Sequence, residues 1–147
     1  MAVSVRALQP SDYAAWLPLW RGYVAFYDSS VSDAQTALTW QRLLDPAFNL
    51  NALVVQLNGE MVGFTHYLFH PATWSQGNCC YLEDLFVSPA MRGSGAGRAL
   101  IDGVKQAAQA QGAAKLYWLT QTHNATARKL YDAVAKDTGF MHYQIAL

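Results

Sequence analysis

The sequence predicts an α/β (more loosely, α+β) protein with a central mixed, mostly antiparallel sheet flanked by helices. Apolar runs of strand length alternate along the chain with segments of helical periodicity. An Asn58-Gly59 pair separates two of these runs, which is the strongest short signal for a hairpin. Hydrophobic residues make up 52% of the chain and charged residues 14%, which excludes a disordered chain. With 147 residues, we expect a single domain over residues 1–147.

The first part of the chain is predicted to form one strand and then two helical segments. Residues 3–8 alternate weakly, as in a strand, and residues 13–27 are apolar and aromatic at helical spacing. Pro18 interrupts that spacing, and because proline lacks a donor and clashes with the previous turn, we expect a kink or two short helices. The Ser32-x-x-Gln35 pattern predicts a capped helix that ends before Asp45-Pro46.

The later strands and helices follow from the same periodicities. Strands are predicted at 52–57, 61–69, 81–87, 115–121 and 139–146, and helices at 98–111 and 124–135. The predicted order is therefore β-α-α-β-β-β-α-β-α-β.

Composition and charge exclude several classes of partner. The net charge is zero, so we expect neither a nucleic-acid partner nor an anionic membrane. No apolar run is long enough for a transmembrane helix, and residues 1–6 lack the features of a signal peptide. Cys79 and Cys80 are adjacent and offer no disulfide framework, which favours the cytoplasm. The four histidines show no metal-ligand spacing, so we expect no metal.

A glycine-rich segment stands where the strand at 81–87 gives way to a helix. Glycine lets a ligand approach the backbone, and the first turn of a helix offers unpaired N–H groups to an anion. A P-loop needs Gly-Lys-Ser/Thr, which is absent. The dinucleotide pattern G-x-G-x-x-G also fails, because its third glycine would fall on Arg98 or on Leu100. The candidate pyrophosphate-binding residues are Arg92, Gly93, Ser94, Gly95, Ala96, Gly97 and Arg98, although Arg98 could also be an ordinary solvated arginine.

Two motifs resemble those of one enzyme family. Arg92-x-x-Gly95-x-Gly97, preceded by Val87-x-Pro89, is similar to motif A of the GCN5-related N-acetyltransferases (GNAT), which bind acetyl-CoA. The helix from Asn124 to Tyr131 is similar to the family's motif B, and the order of elements is that of the GNAT fold. The resemblance implies that the backbone of Leu85, Phe86 and Val87 pairs with the pantetheine arm of acetyl-CoA. It also implies that Asn124 and Arg128 help to hold CoA and that Tyr131 protonates the leaving thiolate.

A pair of acids lies inside the strand at 81–87. Glu83 and Asp84 need a reason to be there, because burying unpaired carboxylates is costly. Neighbouring strand residues point to opposite faces unless a bulge intervenes. The run resembles that of small-amine acetyltransferases of the spermidine/spermine and thialysine types, which implies Glu83 as base and Asp84 as acceptor ligand, with the two roles interchangeable. A structural salt bridge with an arginine is the alternative.

Tyr27 and Asp28, at the end of the first helical segment, are further candidates for binding the acceptor. An aromatic wall with an acid suits a cationic amine, although core packing explains the aromatic residues equally well. The sequence thus predicts an acetyl-CoA-dependent N-acetyltransferase that acts on a small primary amine, such as a polyamine, diamine or amino-acid derivative, by direct attack in a ternary complex. A protein or peptide lysine or N-terminal acetyltransferase and a non-catalytic CoA-binding sensor are the alternatives. Because little chain is left for the family's penultimate strand, we expect the sheet edge to be covered in a homodimer.

Overall fold

The structure of the protein is a computed structural model that describes residues 2–147, and it follows the predicted order through the last helix. Strands β1 to β5 span Val3–Ala7, Asn51–Leu57, Glu60–His70, Cys79–Val87 and Lys115–Tyr117. Helices α1 to α4 span Tyr13–Phe26, Asp33–Leu44, Ala96–Ala110 and Ala125–Val134. Single 3₁₀ turns at Pro10–Asp12 and Pro89–Met91 lead out of β1 and β4.

The five strands form one sheet in chain order, and helices cover both of its faces. β1 to β4 pair antiparallel and β5 joins β4 in parallel, which confirms the predicted mixed, mostly antiparallel sheet. Neighbouring residues of a strand serve opposite faces. Val54 belongs to the core under α1, with Trp16 and Phe64, whereas Val55 belongs to the core under α3, with Leu100.

Local signals start and stop these elements where the sequence predicts them. The Ser32 hydroxyl accepts a hydrogen bond from the Gln35 N–H at 3.1 Å and caps α2. Asn58 and Gly59 have φ of 52° and 83°, the left-handed pair that a two-residue hairpin turn between β2 and β3 requires. The hairpin prediction is confirmed.

Pro18 does not divide the first helix, since α1 runs from Tyr13 to Phe26 without a break. The cost of an internal proline, about 3 kcal/mol, is offset here by burial of large side chains on both sides of it. Trp16 is fully buried and Trp20 nearly so, and their rings stack with centroids 5.6 Å apart. Tertiary packing therefore outweighs the local preference.

An ion pair ties β1 to the turn that precedes α1. The Arg6 guanidinium donates to both carboxylate oxygens of Asp12, at 2.7 and 2.9 Å. Asp12 is buried, and its hydrogen bonds from Arg6 hold the pKa of its carboxyl below the usual value. The pair is bidentate, which is the strong form of such a contact.

The predicted strand at 139–146 is not formed by these described residues, and β5 ends at Tyr117 instead of continuing to 121. A strand exists only when a partner accepts its backbone hydrogen bonds, and without one the apolar side chains of this segment stay exposed. They are Phe140, Met141, Tyr143 and Ile145. The chain divides into two compact units, one through Tyr117 and one comprising Trp118–Leu147. That the whole chain is one domain stays a prediction.

Candidate active site

β4 has an open edge where β5 stops pairing with it. Cys79, Cys80 and Tyr81 pair in parallel with Lys115–Tyr117. Beyond Tyr81, and among the described residues, β4 pairs with β3 alone. Backbone groups of Leu85, Phe86 and Val87 on the far edge are therefore available to an extended ligand, which can bind as an added strand.

The glycine-rich loop follows directly at the end of β4. Gly93 and Gly95 have φ of 82° and 88°, a left-handed conformation that favours glycine, and nothing lies within 4 Å of where a Cβ would be on either. The Ser94 hydroxyl donates to the Met91 carbonyl and closes the loop onto the preceding turn. The loop thus leaves open space beside its backbone.

The N-terminus of α3 supplies donors beside this loop. The first hydrogen bond of α3 runs from the Ala99 N–H to the Gly95 carbonyl, at 3.0 Å. The N–H groups of Ala96, Gly97 and Arg98 precede it and have no carbonyl partner within the helix. Arg98 is exposed in the same turn. An anion such as a pyrophosphate fits this arrangement because the helix dipole is positive here.

Arg92, the first residue of the predicted pyrophosphate segment, has an aromatic environment that the sequence did not predict. Its guanidinium lies 5.4 Å from the centroid of the Phe26 ring and 5.9 Å from that of Phe86. Both distances are in the range of a cation–π contact. The side chain therefore links the loop to the end of α1 and to β4.

A β-bulge in β4 falls on one of the two acids. Asp84 pairs with His66 and Leu82 with Tyr67, so Glu83 is the extra residue between them. Glu83 is accessible to solvent. Partial burial, reinforced by the negative charge of Asp84, raises the pKa of the Glu83 carboxyl above its usual value. A base with a raised pKa is better matched to taking a proton near neutral pH.

Asp84 is held by donors on two other elements, α1 and β3. The Tyr23 hydroxyl donates to one carboxylate oxygen at 2.7 Å, and His66 Nδ1 lies 2.9 Å from the other. Burial first, and then the charge of Asp84, raise the pKa of Tyr23, so its hydroxyl stays a donor. The Asp84 side chain keeps 16% of its surface exposed, enough to contact a ligand. The predicted alternative, a salt bridge of these acids with an arginine, is not found among the described residues.

Aromatic rings pack together at the end of α1, where the sequence suggests a wall of the acceptor site. The Tyr27 ring packs edge-on against Tyr23, with centroids 5.2 Å apart, and against Phe26 at 5.1 Å. Burial, followed by the charge of Asp84, raises the pKa of Tyr27. Asp28 follows the helix in a left-handed conformation with φ of 50°, and it is exposed.

The remaining predicted site residues lie in the second compact unit, on or beside α4. The Asn124 side chain accepts a hydrogen bond from the Ala127 N–H at 3.4 Å and caps the helix. Arg128 donates to the Thr122 carbonyl at 2.9 Å. The Tyr131 ring packs edge-on against Trp118, with centroids 5.5 Å apart. Asn124 and Arg128 thus have structural partners within their own unit, and their binding to CoA stays a prediction.

The sequence did not identify His66 as a residue of this site. The only signal in the sequence was a histidine inside an apolar strand, and a histidine in that position is often an ordinary core residue. The antiparallel register of β3 and β4 places it opposite Asp84, and the bulge at Glu83 sets that register. Neither the register nor the position of the bulge can be predicted from the sequence.

The described residues offer little for other kinds of site. Within residues 2–147 no three histidine, cysteine or acidic side chains are grouped as metal ligands would be. None of the helices in the same range is long and apolar enough to cross a membrane.

Comparison with known proteins gives one consistent family. A sequence model of the Acetyltransferase (GNAT) family matches residues 14–135. The chain is 34% identical over 144 residues to D-amino-acid N-acetyltransferase HPA3 of Saccharomyces cerevisiae, covering 97% of this chain and 89% of that protein. It is 36% identical over 74 residues to thialysine N-epsilon-acetyltransferase of Bos taurus, covering 50% of this chain and 43% of that protein.

A solved structure agrees with these sequence relatives. The fold resembles that of a ribosomal-protein-alanine N-acetyltransferase from Brucella melitensis biovar Abortus 2308 with a TM-score of 0.79 and 25% identity. The match covers 99% of this chain and 100% of that chain. The predicted fold class is therefore confirmed.

Proposed function

Since the chain belongs to the GNAT acetyltransferase family and is an N-acetyltransferase, we propose that it transfers the acetyl group of acetyl-CoA to a primary amine of a small molecule. The observation that carries the choice of acceptor is the pair of carboxylates, Glu83 and Asp84, beside the open edge of β4. A negatively charged site of this kind suits an ammonium group, which must bind and then lose a proton before it reacts.

Acetyl-CoA, which the family uses, would occupy the open edge and the loop that follows it. Its pantetheine arm would pair with the backbone of Leu85, Phe86 and Val87, as an added strand does. Its pyrophosphate would accept hydrogen bonds from the loop between Gly93 and Arg98. The open space beside Gly93 and Gly95 supports this placement, since a side chain there would project toward the ligand. Asn124 and Arg128 would add contacts to CoA.

Two side chains would handle the protons of the reaction. A lysine-like amine has a pKa near 10.4, so keeping it neutral at pH 7 costs roughly 4–5 kcal/mol. The amine nitrogen attacks the thioester carbon, the carbon–sulfur bond breaks, and Glu83 takes the proton that the nitrogen loses. Tyr131 then gives a proton to the CoA thiolate. Asp84, with Tyr27 and Asp28 at the end of α1, would hold the acceptor.

The charge of this site and the names of the relatives support the choice of acceptor class. The yeast and bovine relatives are named for a D-amino acid and for thialysine, which are both small molecules that carry amines. We therefore favour a polyamine, a diamine or an amino-acid derivative. Acetylation of a protein or peptide amine, and CoA binding without catalysis, are the alternatives that the first experiment separates.

That experiment measures thiol release from acetyl-CoA across a panel of amines. The panel contains polyamines, diamines, L- and D-amino acids, thialysine, aminoglycosides and a lysine-containing peptide. We expect turnover with one class of small amine. Turnover of the peptide alone would overturn the small-molecule assignment, and tight CoA binding without turnover of any amine would overturn the assignment as a catalyst.

The assignment of Tyr131 as the acid has its own test. Replacing Tyr131 with phenylalanine should lower kcat by about 10²–10⁴-fold, the usual contribution of a general acid, while CoA binding persists. Tyr13→Phe is the matched control, because Tyr13 is exposed at the start of α1 and lies outside the residues proposed for the site. Wild-type turnover of Tyr131→Phe across pH 7 to 9 would refute the role.

A homodimer in the cytoplasm completes the proposal. The apolar side chains among residues 140–145 are exposed, which supports a dimer in which a second copy of the chain covers them. Ile145→Lys should then shift the molar mass measured by light scattering from dimer to monomer, whereas a monomeric wild-type protein would contradict the dimer. The free, buried Cys79 and Cys80 suit a reducing compartment.

A further inference from the structure

His66 is a buried histidine whose two ring nitrogens both have partners. It is 1% exposed, in the middle of β3 and stacked on the Phe64 ring at a centroid distance of 4.6 Å. Its Nε2 lies 3.2 Å from the Trp16 indole nitrogen, and its Nδ1 lies 2.9 Å from the Asp84 carboxylate. No buried side-chain nitrogen or oxygen among the described residues lacks a partner, so these hydrogen bonds complete the local network.

The chemistry of these partners fixes where the proton of His66 lies. An indole N–H can only donate, so Nε2 must offer its lone pair to Trp16. The proton of the neutral ring is then on Nδ1, from which it points at Asp84. The Asp84 carboxylate accepts from this N–H and from the Tyr23 hydroxyl, so each of its two oxygens has a donor. Trp16 thus selects the Nδ1-protonated tautomer of His66, which donates to Asp84.

The same hydrogen bonds fix the orientation of the carboxylate. One oxygen is bound from α1 and the other from β3, so the group cannot rotate without breaking one of the two bonds. Each oxygen keeps a further lone pair, and part of the side chain stays exposed. The remaining lone pairs can accept hydrogen bonds from a ligand.

We propose that His66 is a positioning residue: in the tautomer selected by Trp16, it holds the Asp84 carboxylate in the orientation that binds the ammonium group of the acceptor. This rests on the proposed function, and it deepens that function by naming the residue that fixes the geometry of Asp84, the acid proposed to hold the acceptor. Asp84 binds the cation through a fixed geometry, and Glu83, on the accessible bulge, is left to take the proton. His66 itself does not touch the substrate.

The kinetic test uses two substitutions that differ in which ring nitrogen they imitate. An asparagine side chain places its N–H₂ near the position of Nδ1, whereas glutamine reaches to that of Nε2. His66→Gln should raise KM for the amine about ten- to a hundredfold, the effect of losing one hydrogen bond to a charged group, with KM for acetyl-CoA unchanged. His66→Asn should recover most of the lost affinity.

A matched control is available on the same strand. His70 bonds to the Pro71 carbonyl and the Tyr117 hydroxyl, outside this network. His70→Gln should leave KM for the amine within about twofold of the wild type. Equal KM values for the amine in wild type, His66→Gln and His66→Asn would overturn the inference.

A spectroscopic measurement keeps the inference testable if the His66 variants fail to fold. Long-range ¹⁵N–¹H correlation spectra of the wild-type protein at pH 7 should show His66 with a proton on Nδ1 and none on Nε2. A proton on Nε2, or protons on both nitrogens, would overturn the inference.

The outcomes also separate this inference from the proposed function. If the wild type acetylates an amine but the His66 variants do not change its KM, the positioning role fails and the proposed function stands. If the wild type acetylates no amine, the proposed function fails, and the positioning role fails with it whatever the tautomer.

Discussion

Replacing Gly95 with alanine separates the cost of backbone strain from the loss of co-substrate binding. Gly95 is the N-cap of α3 and has φ of 88°, and a Cβ built on it meets nothing within 4 Å. Gly59, in the hairpin between β2 and β3, has φ of 83° and the same open surroundings. The two substitutions therefore introduce the same strain, and they differ in that only Gly95 lies in the proposed pyrophosphate loop.

The magnitudes follow from these two observations. A left-handed conformation costs a residue with a side chain roughly 1–2 kcal/mol, since no steric clash adds to it. For a domain of this size, that cost lowers Tm by about 2–8 °C in each variant. If the loop of Gly95→Ala relaxes around the added methyl group and loses one hydrogen bond to phosphate, the binding free energy of CoA falls by about 1.5–3 kcal/mol. The Kd for CoA then rises about ten- to a hundredfold.

The assay pairs thermal unfolding with calorimetric titration of CoA. We expect similar falls in Tm for Gly95→Ala and Gly59→Ala, and weaker CoA binding for Gly95→Ala alone. If Gly95→Ala binds CoA as tightly as Gly59→Ala while both are destabilised, the loop is not the pyrophosphate site. If Gly59→Ala loses CoA affinity to the same extent, the effect is one of general destabilisation, and the reasoning is again refuted.

Three further predictions concern titratable groups. Glu83→Gln should lower kcat/KM by about 10²–10⁴-fold. Because the pKa of Glu83 is raised, wild-type activity should begin to fall at a higher pH than it would with an ordinary glutamate as the base. Initial rates measured from pH 5 to 9 should show this acidic limb in the wild type and not in the variant. Asp12→Asn should lower the free energy of unfolding by about 1–3 kcal/mol at pH 7. Arg6 lowers the pKa of Asp12 below 3.8 in the folded protein, so the stability that the ion pair contributes is present above the unfolded-state pKa and is lost as pH falls through the folded-state pKa. Urea unfolding should therefore show a smaller difference in the free energy of unfolding between variant and wild type at pH 2 than at pH 7. A difference that is the same at both pH values would contradict the prediction. Burial raises the pKa of the Cys80 thiol to about 11, so a thiol reagent at pH 8 should label Cys80 far more slowly in native protein than in urea, as followed by mass spectrometry.

Features that depend on a few neighbouring residues were predicted from the sequence. The Ser32 cap and the Asn58-Gly59 turn each rest on hydrogen bonds or dihedral angles within four residues, and the structure contains both. The order of elements was predicted for the same reason, because strand and helix periodicities are local. The glycine loop between β4 and α3 was likewise located by its position between two periodic segments.

Features that depend on distant partners were not predicted. The continuity of α1 through Pro18 comes from tryptophans that pack against the sheet. The segment at 139–146 alternates as a strand does, but pairing requires an edge that local pattern cannot supply. The contact of His66 with Asp84 needs the register of β3 and β4, which one inserted residue at Glu83 shifts. The acids could therefore be picked out as candidates from the sequence, whereas the histidine that contacts one of them could not.

The open edge of β4 also affects the stability of the folded protein in the absence of co-substrate. Exposed backbone along a strand can recruit another chain, so a sheet left open beyond Tyr81 is a point at which molecules can associate incorrectly. If acetyl-CoA completes this edge, mass action makes it a stabilising ligand as well as a reactant, worth about 2.7 kcal/mol at a concentration one hundred times its Kd. The supply of co-substrate would then set the lifetime of the folded protein along with its rate of turnover.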